Sequence, residues 1–252
     1  MTMPSARRLL LDSKGRHYLV TLKEKGQFHS HTGFIAHEEI LNARIGGVVA
    51  TTRGAEYRVL LPTLEDFVLN MPRGAQVIYP KDLATMCMIG DVHPGVRVLE
   101  TGVGSGALSM MLLRLGAVVH GVELREDFAQ RATANVQSFL GAEVMDRYSV
   151  SLGDAYEAVP ELEYDRVMLD LPEPWRVIPI VEPYLQSGAV LVAYTPSITQ
   201  AVQVREALEG PWCESRTLEV LHRGWHIEGK AVRPDHRMVA HTAFLTVARF
   251  VG

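Results

Sequence analysis

Only two cysteines, Cys87 and Cys213, occur in 252 residues. They are too few and too far apart for a disulfide framework or a structural zinc site, and they fit a reducing cytoplasm. No apolar run approaches the roughly 20 residues that a membrane-spanning helix needs. Arg7-Arg8 has the look of a twin-arginine signal, but only Leu9, Leu10 and Leu11 follow before Asp12, too short an apolar region for export. His29, His31 and His37 cluster without a nearby cysteine or a ligand-spaced carboxylate. Surface or core histidines are expected there, and no metal site. Positive charge is scarce over most of the chain: residues 82–252 carry 14 Lys/Arg against 22 Asp/Glu, a net of −8. Residues 1–81 run the other way, with 11 against 7, a net of +4. A basic small region beside an acidic larger one suits an anionic macromolecular partner held by the former.

What is present is apolar. With 47% hydrophobic residues, the chain can bury the core of one large domain, or of one plus a small one. Residues 8 to 70 read as β-rich. Arg8 to Leu11 and His17 to Leu22 flank the turn Asp12-Ser-Lys-Gly15, and Val48 to Thr51 and Tyr57 to Leu61 flank Arg53-Gly54. Both pairs predict hairpins within a small barrel or sandwich. Phe34 to Asn42 reads as a short helix or irregular segment, and Thr63 opens a helix through Leu69. Gln76-Val-Ile-Tyr-Pro-Lys-Asp82 marks the junction, so we place an N-terminal β domain at 1–75 and a larger domain at 76–252. Pro80 then opens a helix rich in methionine, Met86-Cys-Met-Ile89.

From Val96 onward strand and helix alternate. Strands are expected at Val96 to Thr101, Val118 to Leu124, Tyr148 to Gly153, Arg166 to Leu171 and Ala189 to Thr195. Helices are expected around Ser105 to Leu115, Glu126 to Leu140, Pro174 to Leu185 and Thr199 to Leu208. This rhythm predicts a parallel sheet with helices on both faces. It breaks at the end, where Ser215 to Leu221 and His241 to Phe250 are β-patterned with no helix between them.

The organising stretch is Val96 to Leu108, a buried strand followed by Gly102, Gly104, Gly106 and an apolar helix. Glycines there let a ligand approach the main chain, and the new helix offers it unpaired N–H groups. Such a pocket lies at the carboxyl end of parallel strands. Gly102-x-Gly104-x-x-Ala107 also satisfies the dinucleotide fingerprint, with Glu123 placed as its ribose-binding acid. Glu123 ends the second strand and Asp154 follows the third. Asp170-Leu-Pro-Glu-Pro-Trp175 follows the fourth, and its prolines stiffen the loop.

A terminal hairpin on a parallel sheet is unlike nucleotide-binding dehydrogenases and is expected of class I methyltransferases, whose last strand is antiparallel. Gln76-Val-Ile-Tyr-Pro-Lys-Asp, Glu100-Thr-Gly-Val-Gly-Ser-Gly, Asp170-Leu-Pro-Glu-Pro-Trp, Tyr194-Thr-Pro-Ser-Ile-Thr-Gln200 and His241-Thr-Ala-Phe-Leu245 together resemble the tRNA (adenine-N1)-methyltransferase family, which modifies adenine 58 of the T-loop. The resemblance implies an α/β fold: a Rossmann-like methyltransferase domain with a mostly parallel seven-stranded sheet and an antiparallel last strand, plus a small N-terminal β domain. It also implies S-adenosylmethionine as cofactor, tRNA as partner, a cytoplasmic homotetramer and no metal. Glu100, Gly102, Gly104, Ser105, Gly106, Ala107 and Leu108 would surround the methionine part, with Glu123 on the ribose and Asp154 on the adenine. Gln76 and Tyr79 would close over the cofactor. Asp170 would touch both cofactor and target base.

A carboxylate at Asp170 that accepts from the exocyclic amine stabilises the positive charge that spreads over adenine as N1 is methylated. The base must leave its stack, and Tyr79, Trp175 or Tyr194 could stack on it. Arg8, Arg16 and Lys23 in the β domain, with Arg233 before the last strand, are candidate phosphate contacts. Three alternatives remain at this stage. One is a class I methyltransferase acting on protein or a small molecule, another an NAD-dependent dehydrogenase, and the third a catalytically silent tRNA-binding partner subunit.

Overall fold

The structure, a computed structural model, describes residues 7–252 except 72 and 75. The chain divides into two compact units, Met1–Pro72 and Arg73–Gly252.

In the first unit, β1 (Arg7–Asp12) and β2 (His17–Thr21) form the expected hairpin. Its turn is set by Asp12, whose carboxylate accepts the backbone N–H groups of Lys14 and Arg16, both at 2.9 Å. A second hairpin, β3 (Gln27–Ser30) with β4 (Gly33–Ala36), was not legible in the sequence. It is followed by α1 (His37–Asn42), so the segment from Phe34 to Asn42 is shared between a strand and a helix. The strands β5 (Val48–Ala50) and β6 (Glu56–Leu60) complete a four-stranded antiparallel sheet in the order β2-β1-β6-β5. The barrel-or-sandwich expectation thus resolves into one sheet and a separate two-stranded hairpin. Phe28 of that hairpin joins Tyr18 and Tyr57 in an edge-to-face cluster, with ring centroids 5.4–5.8 Å apart, the arrangement the ring quadrupoles favour. Leu10, Val20, Ile35, Ile40, Val49 and Val59 fill the core beneath it. Thr63 caps α2 (Leu64–Asn70) reciprocally with Asp66, which satisfies two otherwise orphaned N–H groups.

The second unit opens with α3 (Pro80–Ile89), where Pro80 occupies the first helical turn and so loses no hydrogen bond. Met86 faces the core and Met88 faces solvent. Then come β7 (Arg97–Thr101), α4 (Ala107–Arg114), β8 (Val118–Glu123), α5 (Glu126–Leu140), β9 (Tyr148–Leu152) and β10 (Tyr164–Leu169). The helix expected over Pro174 to Leu185 is broken into a 3-10 turn at Pro174–Arg176, α6 (Ile178–Val181) and a second 3-10 turn at Glu182–Tyr184. Pro179 and Pro183 each lack the N–H that a continuous helix would need. β11 (Leu185–Thr195) therefore starts four residues earlier than expected, and α7 (Ile198–Ala207) follows it. The chain ends with β12 (Trp212–Glu219), an exposed hairpin of β13 (Trp225–Glu228) and β14 (Ala231–Pro234), and β15 (Phe244–Phe250).

The main sheet has seven strands in the order β12-β15-β11-β10-β7-β8-β9. Pairing is parallel from β11 to β9, and β15 runs antiparallel to both its neighbours. The order reverses beside β7, which is where ligands bind in such sheets. Register aligns Thr101 with Leu169 and with Val122, and Leu169 with Ala193. The segments that follow β7, β8, β9, β10 and β11 consequently emerge along one edge.

Candidate active site

The glycine loop occupies the centre of that edge. Gly102 has φ +76°, and a Cβ there would lie 2.0 Å from the carbonyl oxygen of Asp170. Only glycine lets the ends of β7 and β10 approach this closely. Gly106, in the left-handed region at φ +82°, precedes α4 and brings its start against Ala132 of α5. Asn135 of α5 donates to the Ser105 carbonyl at 3.0 Å, which fixes the loop from below.

The acids converge on this loop. Glu123 is buried; its Oε2 accepts the Gly104 N–H at 2.9 Å and its Oε1 accepts the Arg125 N–H at 3.0 Å. A carboxylate has about four lone-pair positions, so it keeps acceptor capacity for a ligand hydroxyl. Asp154 sits at the neighbouring strand end, bonded by the Tyr156 N–H at 2.9 Å. Glu100 lies deepest, 1% exposed, and accepts the Ser109 hydroxyl at 2.6 Å. Burial pushes Glu100 up to about 8, opposed by the Ser109 hydrogen bond and reinforced by Asp170. Burial, with Glu123 adding repulsion, likewise pushes Asp170 up to about 7. Among the described residues no donor reaches the Asp170 carboxyl oxygens.

Two cavities meet at Asp170. The first is a narrow slot of ≈ 20 Å³ between Gln76-Val77-Ile78 and the loop residues Gly102 to Leu108, floored by Glu100. The second, ≈ 350 Å³, is walled by Leu171, Pro172, Tyr194, Pro196, Gln200 and Thr242. Asp170 and Gln76-Val77-Ile78 border both. Burial, aided by Asp82 and Asp170, raises the Tyr194 phenol, so the hydroxyl stays a neutral donor at the rim. Gln200 donates to the Pro172 carbonyl at 2.8 Å, which pins the proline loop to α7.

The structure therefore brings together Gln76, Glu100, the glycine loop, Glu123, Asp154, Asp170 and Tyr194. Tyr79 caps α3 beside them. Trp175 lines neither cavity; it packs partly buried against the sheet core. Of the basic candidates, the Arg16 guanidinium pairs with Asp12 at 2.6 Å. Arg8 is half-buried and donates to the Arg7 carbonyl at 2.9 Å. Both make local contacts, and Arg16, like Lys23 and Arg233, is exposed. Val77, Ile78, Pro196, Gln200 and Thr242 were missed as wall residues. The last three stand inside the Tyr194–Gln200 and His241–Leu245 runs, of which only Tyr194 is given a role by the sequence. No group of histidine, cysteine or acidic residues suited to a metal ion occurs among the described residues.

The buried carboxyls carry a stability consequence. Glu100 is raised in the folded protein above its ordinary value of 4.5, so the folded state holds its proton more tightly than the unfolded chain does. Stability from this group is full below pH 4.5 and is lost as pH rises toward about 8. Glu100→Gln keeps an acceptor for Ser109 without the ionisation. We expect it to raise the Tm of the ligand-free protein at pH 8 but hardly at pH 5, a gain of about 1–3 kcal/mol. Equal shifts at both pH values would show that the carboxyl is not held protonated.

Known proteins share this architecture. The family model described as tRNA methyltransferase complex GCD14 subunit matches residues 57–233, and a TrmI-like N-terminal model matches residues 7–49. The tRNA (adenine(58)-N(1))-methyltransferase TrmI of Thermus thermophilus is 42% identical over 246 residues, which cover 96% of this chain and 95% of that protein. A solved structure described as a SAM-dependent O-methyltransferase from Thermotoga maritima matches with a TM-score of 0.92 and 32% identity, over 99% of this chain and 94% of that one. The tRNA (m1A58) methyltransferase TrmI from Aquifex aeolicus matches with a TM-score of 0.85 and 28% identity, over 98% of each chain. A seven-stranded sheet with an antiparallel last strand, a glycine loop ringed by strand-end acids and a family match across most of its length leave one placement: this chain belongs to the GCD14/TrmI family of tRNA methyltransferases.

Proposed function

We propose that this protein transfers a methyl group from S-adenosylmethionine to N1 of adenine 58 in the T-loop of tRNA. The observation that carries the reading is Asp170, an acid shared by the glycine-lined slot and the wider cavity beside it. The loop suits the cofactor: a Cβ at Gly104 would meet nothing nearer than 4.0 Å, so the main chain there is open to a ligand, and the acids around it match ribose hydroxyls and a net positive ligand. When bound, the cofactor supplies an electrophilic methyl on a sulfonium. Gly102 to Leu108 would hold its methionine part, Glu123 its ribose and Asp154 its adenine, with Gln76 and Tyr79 closing over it.

Neutral adenine already carries a lone pair on N1, so the chain needs no strong base and its task is alignment. Asp170 accepts from the exocyclic amine, fixes the base, and stabilises the charge that appears on the ring. Tyr194 walls the cavity in which an extruded base would lie. The first unit, with Lys23, and the exposed hairpin bearing Arg233 would meet the tRNA backbone. Trp225, Ile227 and Val232 stand 57%, 72% and 60% exposed on that hairpin, an apolar face in keeping with a homotetramer. A cytoplasmic setting follows from the substrate.

The test is to incubate unmodified tRNA with labelled S-adenosylmethionine and map the methylated nucleotide by primer extension. A stop at adenine 58 is expected. Methylation of protein or a small phenol but not of tRNA would favour the O-methyltransferase reading that the Thermotoga neighbour raises. One residue-level outcome accompanies it. Glu123→Ala should weaken cofactor binding by about 1–3 kcal/mol, the cost of a lost charge-assisted hydrogen bond, and leave tRNA affinity unchanged. An unaltered dissociation constant by calorimetry would remove Glu123 from the ribose site.

A further inference from the structure

The His241-Thr242 segment touches the wider cavity yet has no part in the chemistry above. Thr242 lines that cavity. Its hydroxyl donates to Asp82 Oδ2 at 2.6 Å and receives the Lys81 ammonium. Lys81 also donates to Asp82 Oδ1 at 2.9 Å and to the Val220 carbonyl at 2.8 Å. Asp82 is 0% exposed and Lys81 7%, so α3 is tied to the chain before β15 by a buried, fully paired network. Such a network holds its members in one geometry.

His241 completes the tie. Its Nδ1 lies 2.6 Å from Glu219 Oε1, at the end of β12, and its Nε2 lies 2.8 Å from the carbonyl oxygen of Pro196, just past β11. A carbonyl can only accept, and an ionised carboxylate likewise. Both ring nitrogens must then carry a proton, which makes the ring an imidazolium. Pro196 and Thr242 both line the wider cavity. One ring therefore joins two of its wall segments, and deprotonation would turn a lone pair toward one acceptor.

We propose that His241, bridging Glu219 and Pro196 as an imidazolium, is a positioning residue that holds the Pro196 and Thr242 walls around the target base. This rests on the tRNA methyltransferase reading for its substrate. The groups acting on the ring are Glu219 from β12, the like charge of Lys81 from α3, and the Phe244 ring of β15 at 4.8 Å. The Pro196 carbonyl and then Glu219 raise the imidazole above its ordinary 6.5, opposed by desolvation and by the like charge of Lys81. The clasp is closed while the imidazole is protonated and Glu219 ionised, and it opens as pH rises through that raised value.

The first measurement needs no substrate. In the full-length protein with ¹⁵N-labelled histidine, the His241 ring resonances, assigned by their loss in His241→Gln, should show both nitrogens protonated at neutral pH. The midpoint should lie above that of free histidine and fall in Glu219→Gln. A neutral ring, or a midpoint at the free value, would overturn the proposal. The second measurement is the pH profile of kcat/KM for tRNA beside the cofactor Kd. The His241→Gln variant should lose the alkaline descending limb and fall by up to ~10²-fold at its optimum, with cofactor Kd unaltered as the check that it folds. An alkaline limb that persists in that variant would leave the ring structural and refute its positioning role. Absence of tRNA methylation by the parent protein at every pH would instead refute the functional reading, whatever the ring titration shows.

Discussion

Asp170→Ala is expected to lower single-turnover methyl transfer by about 10²–10³-fold, the usual loss when a preorganised electrostatic partner is removed, while cofactor affinity stays within a few-fold of the parent. The carboxyl borders both cavities and meets no donor among the described residues, so its hydrogen bond is available to the base. Asp170→Asn should fall almost as far, because an amide cannot take on the growing charge. The parent's rate should climb with pH through about 7, the value to which burial and Glu123 raise this carboxyl. Only the ionised form carries the negative charge that offsets the charge growing on the ring, so the limb ascends; a pH-independent rate between 6 and 8, or near-parent turnover in either variant, would take Asp170 out of the reaction.

Gly102→Ala should be as damaging for a different reason. At φ +76° an alanine is strained, and its Cβ would sit 2.0 Å from the Asp170 carbonyl oxygen and 2.9 Å from the carbon behind it. Both neighbours are backbone, so no side chain can rotate away. The ends of β7 and β10 must separate, which moves Asp170 itself. Strain at such a position costs about 1–3 kcal/mol, and a displacement of this size at the site can cost ~10²-fold in rate. Gly104→Ala is the control: it shares a positive φ, but its Cβ would meet nothing nearer than 4.0 Å. Thermal unfolding of the ligand-free pair should show the larger loss of stability at position 102. Equal losses would mean that backbone strain alone, not the approach of Asp170, makes Gly102 necessary.

The parts of the site that were legible in the sequence are those written locally. The glycine run, the acid ending β8 and the Asp-Leu-Pro run each declare a strand end by themselves, and parallel topology then puts those ends in one row. The terminal antiparallel strand was legible because helical periodicity stops after Leu208. What could not be read depends on distant partners. Thr242 meets Asp82 across 160 residues of chain, and nothing in either local pattern marks that meeting. Trp175 was misplaced because prolines stiffen a loop without saying where its aromatic points. Arg16 looked free for phosphate because its charge is visible in the sequence, whereas its ion pair with Asp12 requires the tight turn between β1 and β2. Helix breaking at Pro179 and Pro183 was within reach, since each removes a backbone donor regardless of context.

The claim on which the rest depends is that one acid separates the methyl-donor site from the base. Its most direct test is a crystal structure of the protein with S-adenosylhomocysteine and adenosine bound together. The account predicts the thioether sulfur beside the glycine loop and the adenine in the cavity bounded by Tyr194, Pro196 and Thr242, with N1 facing the sulfur and the exocyclic amine hydrogen-bonded to Asp170. Adenine bound elsewhere, or seated there with its amine turned away from Asp170, would contradict it.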